Sequence, residues 1–354
     1  MSIYILNFIL IIVWEMLLLR INPTDKKKKI FCSIVAIQWI LISGLRHIEL
    51  SRDVSINYIN HFENTKAYSW SFIFDQIKEY LFNGLSVKDP GYTLLMKIFQ
   101  IFSGEFQMFL FCIAVFFTTA MAIWIYKYSA MPALSFIIYS SLFYSFFALT
   151  GLRQTIATAI IVFIGDKYIK ERKIGRYILL AFIAFLIHKS SIVYTLYFLI
   201  AGINISAPYV ATMSLSISVI ALLGKQVYAP VAYALGFGEE AIEYEGDGAS
   251  TYALVLLMVC LAAFVLYPWI SKRREDSKYL YNLMFLTVGS TLLIFHHQGF
   301  MRIQQYFSLV IMIMIPEMIL SIQKKYQFVF FGGAVVILFV YLLMNSPHYK
   351  FFWQ

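Results

Sequence analysis

Charge is what this sequence has least of. Of its 354 residues, 13% are charged and 61% are hydrophobic, against about 25% and 45–50% in a soluble globular chain. Apolar runs near the length of a bilayer span recur from one end to the other, more than one buried core can absorb. That excludes an ordinary soluble domain. Cysteine is also scarce. Cys32, Cys112 and Cys260 lie far apart inside apolar segments, so no disulfide framework or paired-cysteine metal site is expected, and small core residues are. The signatures of soluble enzymes are missing too: there is no P-loop, no GxGxxG in a strand–helix setting and no HExxH. His296 and His297 are adjacent, so on a helix they point about 100° apart, which is poor for chelation. No metal and no cofactor is expected.

What is present reads as an all-α polytopic integral membrane protein, a single transmembrane domain over residues 1–354. Spans fall near 2–20, 30–45, 106–126, 132–149, 153–169, 207–224, 249–270, 279–295, 303–322 and 327–345. The first apolar run is followed, not preceded, by basic residues and lacks a small-residue cleavage site, so it reads as a retained span. Segment 177–201 is interrupted by His188-Lys189-Ser190-Ser191. As one tilted helix it crosses once; as two short helices it crosses and returns. The net charge of +9 would suit nucleic acid, but the lysines and arginines cluster in short loops at 20–29, 127, 167–176, 272–278 and 324–325. No nucleic-acid partner is therefore expected. These loops share one side, the cytoplasmic one, only if 177–201 makes two passes, which gives about twelve spans with both termini outside. A large outer loop (46–105) then carries an amphipathic stretch at Trp70–Phe82. A second stretch, Tyr92–Phe102, is too short to span and is expected at or dipping into the interface. A smaller outer loop at 225–249 holds the acidic run 239–247.

One arginine tests this organisation. Thirty-eight residues lie between Lys127 and Asp166, and Arg153 is the one charge among them. As a single helix they would reach ~57 Å, nearly twice the ~30 Å of hydrocarbon. They must form a hairpin that turns at Thr150-Gly151, which puts Arg153 at the outer surface. Other polar residues at span ends gather on the same face: Arg46, His47, Arg52, Asp53, His188, Lys189, His296, His297 and Arg302. Taken singly, such an arginine snorkels to headgroups and such a histidine is a structural hydrogen-bonder. Taken together, they fit one polar site. Guanidinium forks bind phosphate oxygens, and an imidazole accepts a proton from an attacking hydroxyl, as Asp53 would also. That chemistry suits a lipid-linked phosphate or diphosphate donor whose attached group moves to a hydroxyl.

The motifs "GLRHIELSRDVSINYINHF" (44–62), "DPGYTLLMKIF" (89–99), "LTGLRQTIATAI" (149–160), "FLIHKSSIVYTLYFLI" (185–200) and "GFMRIQQYF" (299–307) occur in this order. In this the chain resembles the EpsG-like branch of Wzy polymerases, which build O-antigen, capsule and exopolysaccharide. It departs from the usual pattern at Arg52, where glycine is commoner, at Asp89, where glutamate is, and at Thr150, often asparagine. The resemblance implies a metal-independent glycosyltransferase at the outer face of a bacterial inner membrane, with its site facing the periplasm or exterior. The growing glycan would pass from its undecaprenyl diphosphate to a sugar hydroxyl of the next lipid-linked unit. Membrane lipids, a chain-length regulator and a flippase are the implied partners. It singles out His188 as the leading base, with Arg153, Arg46 and Asp53 as catalytic. Arg302, Gln154, Tyr58, Tyr92, Asp89, Lys189 and His297 are marked as substrate-binding. A lipid-linked oligosaccharide flippase or transporter, and a membrane acyltransferase of glycans, are the alternatives. Transporters usually place polar residues at the bilayer midplane on broken helices, whereas these lie at span ends on one face.

Overall fold

A computed structural model describes residues 2–21, 23–83, 87–224, 226, 230 and 250–354. The acidic run 239–247 lies outside the described residues. Every regular element among those described is helical. The sole β contact there is an isolated antiparallel bridge between Arg46 and Phe351.

Local chemistry explains several helix starts. Thr24 Oγ1 accepts from Lys27 N at 3.2 Å and Asp25 occupies the first turn, opening the helix Asp25–Gly44. Ser69 Oγ does the same for Phe72 N at 3.1 Å, opening Trp70–Phe82. Proline in the first turn opens Pro90–Phe99 and Pro132–Ile138, where its missing N–H costs nothing.

By length and composition, two helices among the described residues are able to cross a membrane alone, Phe106–Tyr128 and Lys324–Asn345. Two bent pairs raise the number to four if each is one span, and shorter apolar helices accompany them. The helix Phe106–Tyr128 extends about 35 Å and buries a stripe that includes Phe106, Leu110, Ile113, Phe117, Met121 and Trp124. Phe117 on it stacks on Phe147 (5.2 Å between ring centroids) and meets Phe163 edge-on (5.5 Å). It thereby contacts both arms of the 132–170 hairpin, which turns at Thr150-Gly151 as its length requires. A Cβ on Gly151 would stand 2.9 Å from the Phe146 ring, so a larger residue there has to displace that ring. Both arms contain wide, π-helical runs: Tyr139–Phe143 and Ser145–Leu149 before the turn, Ala159–Ile164 after it.

Two segments expected as straight spans are bent. Helix Thr251–Val265 meets Tyr267–Arg273 at 66°, where Pro268 lacks the N–H that would continue the ladder. Gln298–Ser308 meets Ile311–Ser321 at 57°. Within the latter, Pro316 frees the Met312 carbonyl, which accepts a 2.5 Å bond from Ser135 Oγ instead. Segment 177–201 doubles back on itself. Helix Ile174–Ile187 stops at His188, whose backbone is extended, and a 3-10 turn (Lys189–Tyr194) leads into Thr195–Ile200. Tyr177 then stacks on Phe198 at 4.7 Å, and Arg172 Nη1 donates to the Phe198 carbonyl at 2.8 Å.

The bundle is clamped at its basic end. Arg274 donates to Glu317 (2.9 Å), Asp276 (2.6 Å) and the Tyr128 carbonyl (3.0 Å), Arg273 also pairs with Glu317, and Lys170 pairs with Asp166 at 3.0 Å. At the other end, Trp70–Phe82 forms where expected, and Tyr80 OH donates to the Phe185 carbonyl at 3.3 Å. The second stretch begins as the helix Pro90–Phe99. Its first half is buried in protein through Gly91, Tyr92, Thr93 and Met96, and only its C-terminal side exposes apolar residues, Ile98, Ile101 and Phe102. The cause is close packing: a Cβ on Gly91 would lie 2.6–2.7 Å from Leu186, backbone included.

Candidate active site

At the end of the bundle away from the clamp, a half-open cavity of about 620 Å³ is lined by Asp53, Asn57, Tyr58, His61, Lys88, Phe146, Thr150, Gly151, Arg153, Gln154, His188 and Arg302. Four stretches of chain deliver the charged and titratable members. Residues 53–61 form one wall as a wide turn (Val54–Tyr58) running into the helix Ile59–Ala67. The hairpin turn presents Arg153 and Gln154, the extended backbone at 188 presents His188, and the first turn of Met301–Ser308 presents Arg302.

Asp89 stands behind the cavity and ties these parts together. Its backbone is left-handed (φ 50°), the corner that precedes Pro90, and it is 1% exposed. Its Oδ2 forms an ion pair with Arg153 Nη1 at 2.9 Å and lies 3.3 Å from His188 Nδ1, while Oδ1 accepts from the Lys189 backbone N–H at 3.2 Å. Burial pushes its carboxyl upward, but the His188 hydrogen bond, Arg153 and the Lys189 N–H outweigh that and hold it below the ordinary carboxylate value. An ionised Asp89 fixes the His188 proton on Nδ1 and leaves Nε2 as an acceptor. Nε2 is buried and has no hydrogen-bond partner among the described residues. Burial lowers the His188 pKa, with Asp89 opposing, so the ring is neutral near pH 7.

Arg153 also faces Tyr58, with its guanidinium 5.3 Å from the ring centroid and Nε 3.5 Å from the hydroxyl. Gln154 Nε2 donates to the Arg302 carbonyl at 2.5 Å, joining the hairpin turn to the helix that carries Arg302. Asp53 Oδ1 accepts from Asn57 Nδ2 at 2.8 Å, and His61 Nε2 lies 3.0 Å from Thr93 Oγ1. Burial first, then Arg153, keeps His61 below its ordinary value.

The structure thus brings Arg153, His188, Asp53, Arg302, Gln154 and Tyr58 to one cavity, with Asp89 directly behind. Other residues singled out in the sequence do not line it, His47, Arg52 and His296 among them. Arg46 is 2% exposed and donates to the carbonyls of Ser43 and Leu149, bracing the approach to the hairpin turn from inside the bundle. Tyr92 is buried edge-on against Tyr58, 5.7 Å between centroids. Lys189 serves through its backbone N–H, and His297 Nδ1 accepts from Gly299 N at 2.8 Å as a turn cap. Asn57 and Lys88 line the cavity without having been singled out. The signal available was positional: Asn57 lies four residues after Asp53, and Lys88 precedes Asp89.

An all-helical membrane protein with a polar, partly enclosed site at one end of its bundle is the class this architecture defines. The chain belongs to the EpsG family, a Wzy-like polymerase family, whose sequence model matches residues 29–353. No curated protein matches the chain. No solved structure matches it.

Proposed function

We propose that the chain is a glycosyltransferase that polymerises undecaprenyl-diphosphate-linked oligosaccharide units of an O-antigen, capsule or exopolysaccharide. It works at the outer face of the bacterial inner membrane, within a bundle of about twelve spans whose 46–105 segment faces outward. One observation carries the reading: Asp89 joins a guanidinium and a neutral histidine whose free nitrogen belongs to a half-open, cation-lined cavity.

The chemistry follows from that arrangement. His188 Nε2 takes the proton of an acceptor sugar hydroxyl, and the oxygen bonds to the anomeric carbon of the donor glycan. The bond from that carbon to the diphosphate oxygen breaks, and its electron pair leaves on the lipid diphosphate. The cavity's guanidinium and ammonium groups stabilise that charge, and the proton on His188 passes to the departing diphosphate or to water. Asp89 supports the transient imidazolium by charge and geometry.

Complementation of a deletion strain tests this. The wild-type gene is expected to restore long glycan chains, and His188→Gln to leave single repeat units on a protein that still inserts. Full-length polymer from His188→Gln would remove the base assignment. A wild-type gene that does not restore polymer would remove the polymerase reading. Arg52→Cys should react with an impermeant thiol reagent added to intact cells and Glu275→Cys should not; the reverse would overturn the orientation.

A further inference from the structure

The cavity is chemically uneven. On one wall, Asp53, Asn57 and His61 follow one another at intervals of four residues and so share a helix face. The row offers a carboxylate, an amide oriented by that carboxylate (2.8 Å) and a neutral imidazole held by Thr93 (3.0 Å). Such groups give and accept hydrogen bonds in the pattern sugar hydroxyls need, and their one formal charge repels a phosphate. The same cavity also presents two cations, Lys88 and Arg302. Lys88 adjoins Asp89 in sequence, but that carboxylate is already engaged by Arg153, His188 and the Lys189 N–H. Among the described residues Lys88 makes no ion pair, and its side chain is open to the cavity mouth and solvent. Burial, then Arg153, lowers its pKa, with Asp89 opposing. Arg153 links the two sides, with Nε toward Tyr58 OH (3.5 Å) and Nη1 on Asp89 (2.9 Å).

We infer that Arg153 divides the cavity into two subsites: a diphosphate-receiving half in which Lys88 is the leading contact, together with Arg302, and a sugar-receiving half formed by the Asp53–Asn57–His61 row. This rests on the transferase reading above and assigns its two substrate ends. Arg153 then acts mainly as the partition that holds Asp89 and Tyr58 in place, and the cations that meet phosphate are Lys88 and Arg302.

The test uses the full chain in detergent with geranylgeranyl diphosphate as the probe, read by thermophoresis or tryptophan fluorescence. Lys88→Met is expected to weaken the probe by about tenfold or more, the loss of one charge-assisted phosphate contact. Lys88→Arg is expected to restore binding to within about threefold, which separates charge from folding. Asn57→Ala and His61→Ala are expected to bind the probe within about twofold of wild type yet to shorten the glycans made in cells. Asn57→Ala or His61→Ala weakening the probe as much as Lys88→Met, or Lys88→Met binding it like wild type, would overturn the division. So would a wild-type chain that restores long glycans in cells but does not bind the probe. Failure of the wild-type gene to restore polymer would instead remove the reading beneath it.

Discussion

Replacing Asp89 by asparagine keeps the side chain's shape and removes its charge. Three partners lose an anion at once: Arg153 Nη1 at 2.9 Å, His188 Nδ1 at 3.3 Å and the Lys189 N–H at 3.2 Å. The buried Arg153–Asp89 pair would lose one member, a change that costs about 3–5 kcal/mol where the remaining charge stays buried. Arg153's side chain keeps 16% exposure toward the cavity, so the lower end of that range applies. The effect on rate is expected to be larger. An amide in place of the carboxylate turns its NH₂ toward His188 Nδ1 and moves the ring proton to Nε2, the atom that must accept. The same substitution behind a catalytic histidine elsewhere lowers kcat by about 10⁴, or about 5.4 kcal/mol of barrier. Glycan length on gels, normalised to membrane-inserted protein, separates the two effects. Asp89→Asn should give single repeat units even where the protein level is within a few-fold of wild type. Full-length glycan from Asp89→Asn cells would refute the tautomer argument.

Polymerisation by membrane vesicles should be flat from pH 8 to about 6.5 and decline below that as His188 protonates. Its folded-state pKa is lowered, so neutrality holds through the upper range and is lost only as pH falls. A rate that rises toward acid pH would contradict it. Gly91→Ala should abolish activity in the folded fraction and cost about 1–3 kcal/mol, because the added methyl collides with the Leu186 backbone and displaces the corner holding Asp89; thermal shift and gel together read both. Arg46→Ala should lower the melting temperature and the amount of polymer in parallel without changing chain-length distribution, since its partners are the Ser43 and Leu149 carbonyls.

The membrane class was legible because an apolar run resists any other reading, and the 132–170 hairpin because a length of ~57 Å leaves no alternative. Trp70–Phe82 was legible from its amphipathic pattern. Direction was not. Arg46 and Arg153 sit in the same Gly-Leu-Arg triplet at span ends, and only packing sends one inward to backbone carbonyls and the other into the cavity. Asp89 carried a motif signal, but its task depends on a left-handed corner and on the Gly91–Leu186 contact, which no pattern of hydrophobicity encodes. Asn57 and Lys88 were hidden by their setting, a segment between apolar runs where polar residues are common. The bend at Tyr267–Arg273 had a visible cause in Pro268; the wide turns had none that spacing reveals.

Those wide turns bear on how the chain tolerates change in length. A π-helical run stores one residue beyond what α geometry needs, so Ala159–Ile164 holds slack between the turn that sets Arg153 and the basic-end pair of Asp166 and Lys170. Deleting one residue there can be absorbed by tightening the coil, which leaves both ends facing as before. The same deletion in the regular helix Phe106–Tyr128 turns everything beyond it by about 100° and pulls Phe117 or Trp124 off its partners. Relatives that differ in length should therefore differ at the wide turns, with the cavity at one end and the clamp at the other both kept in register.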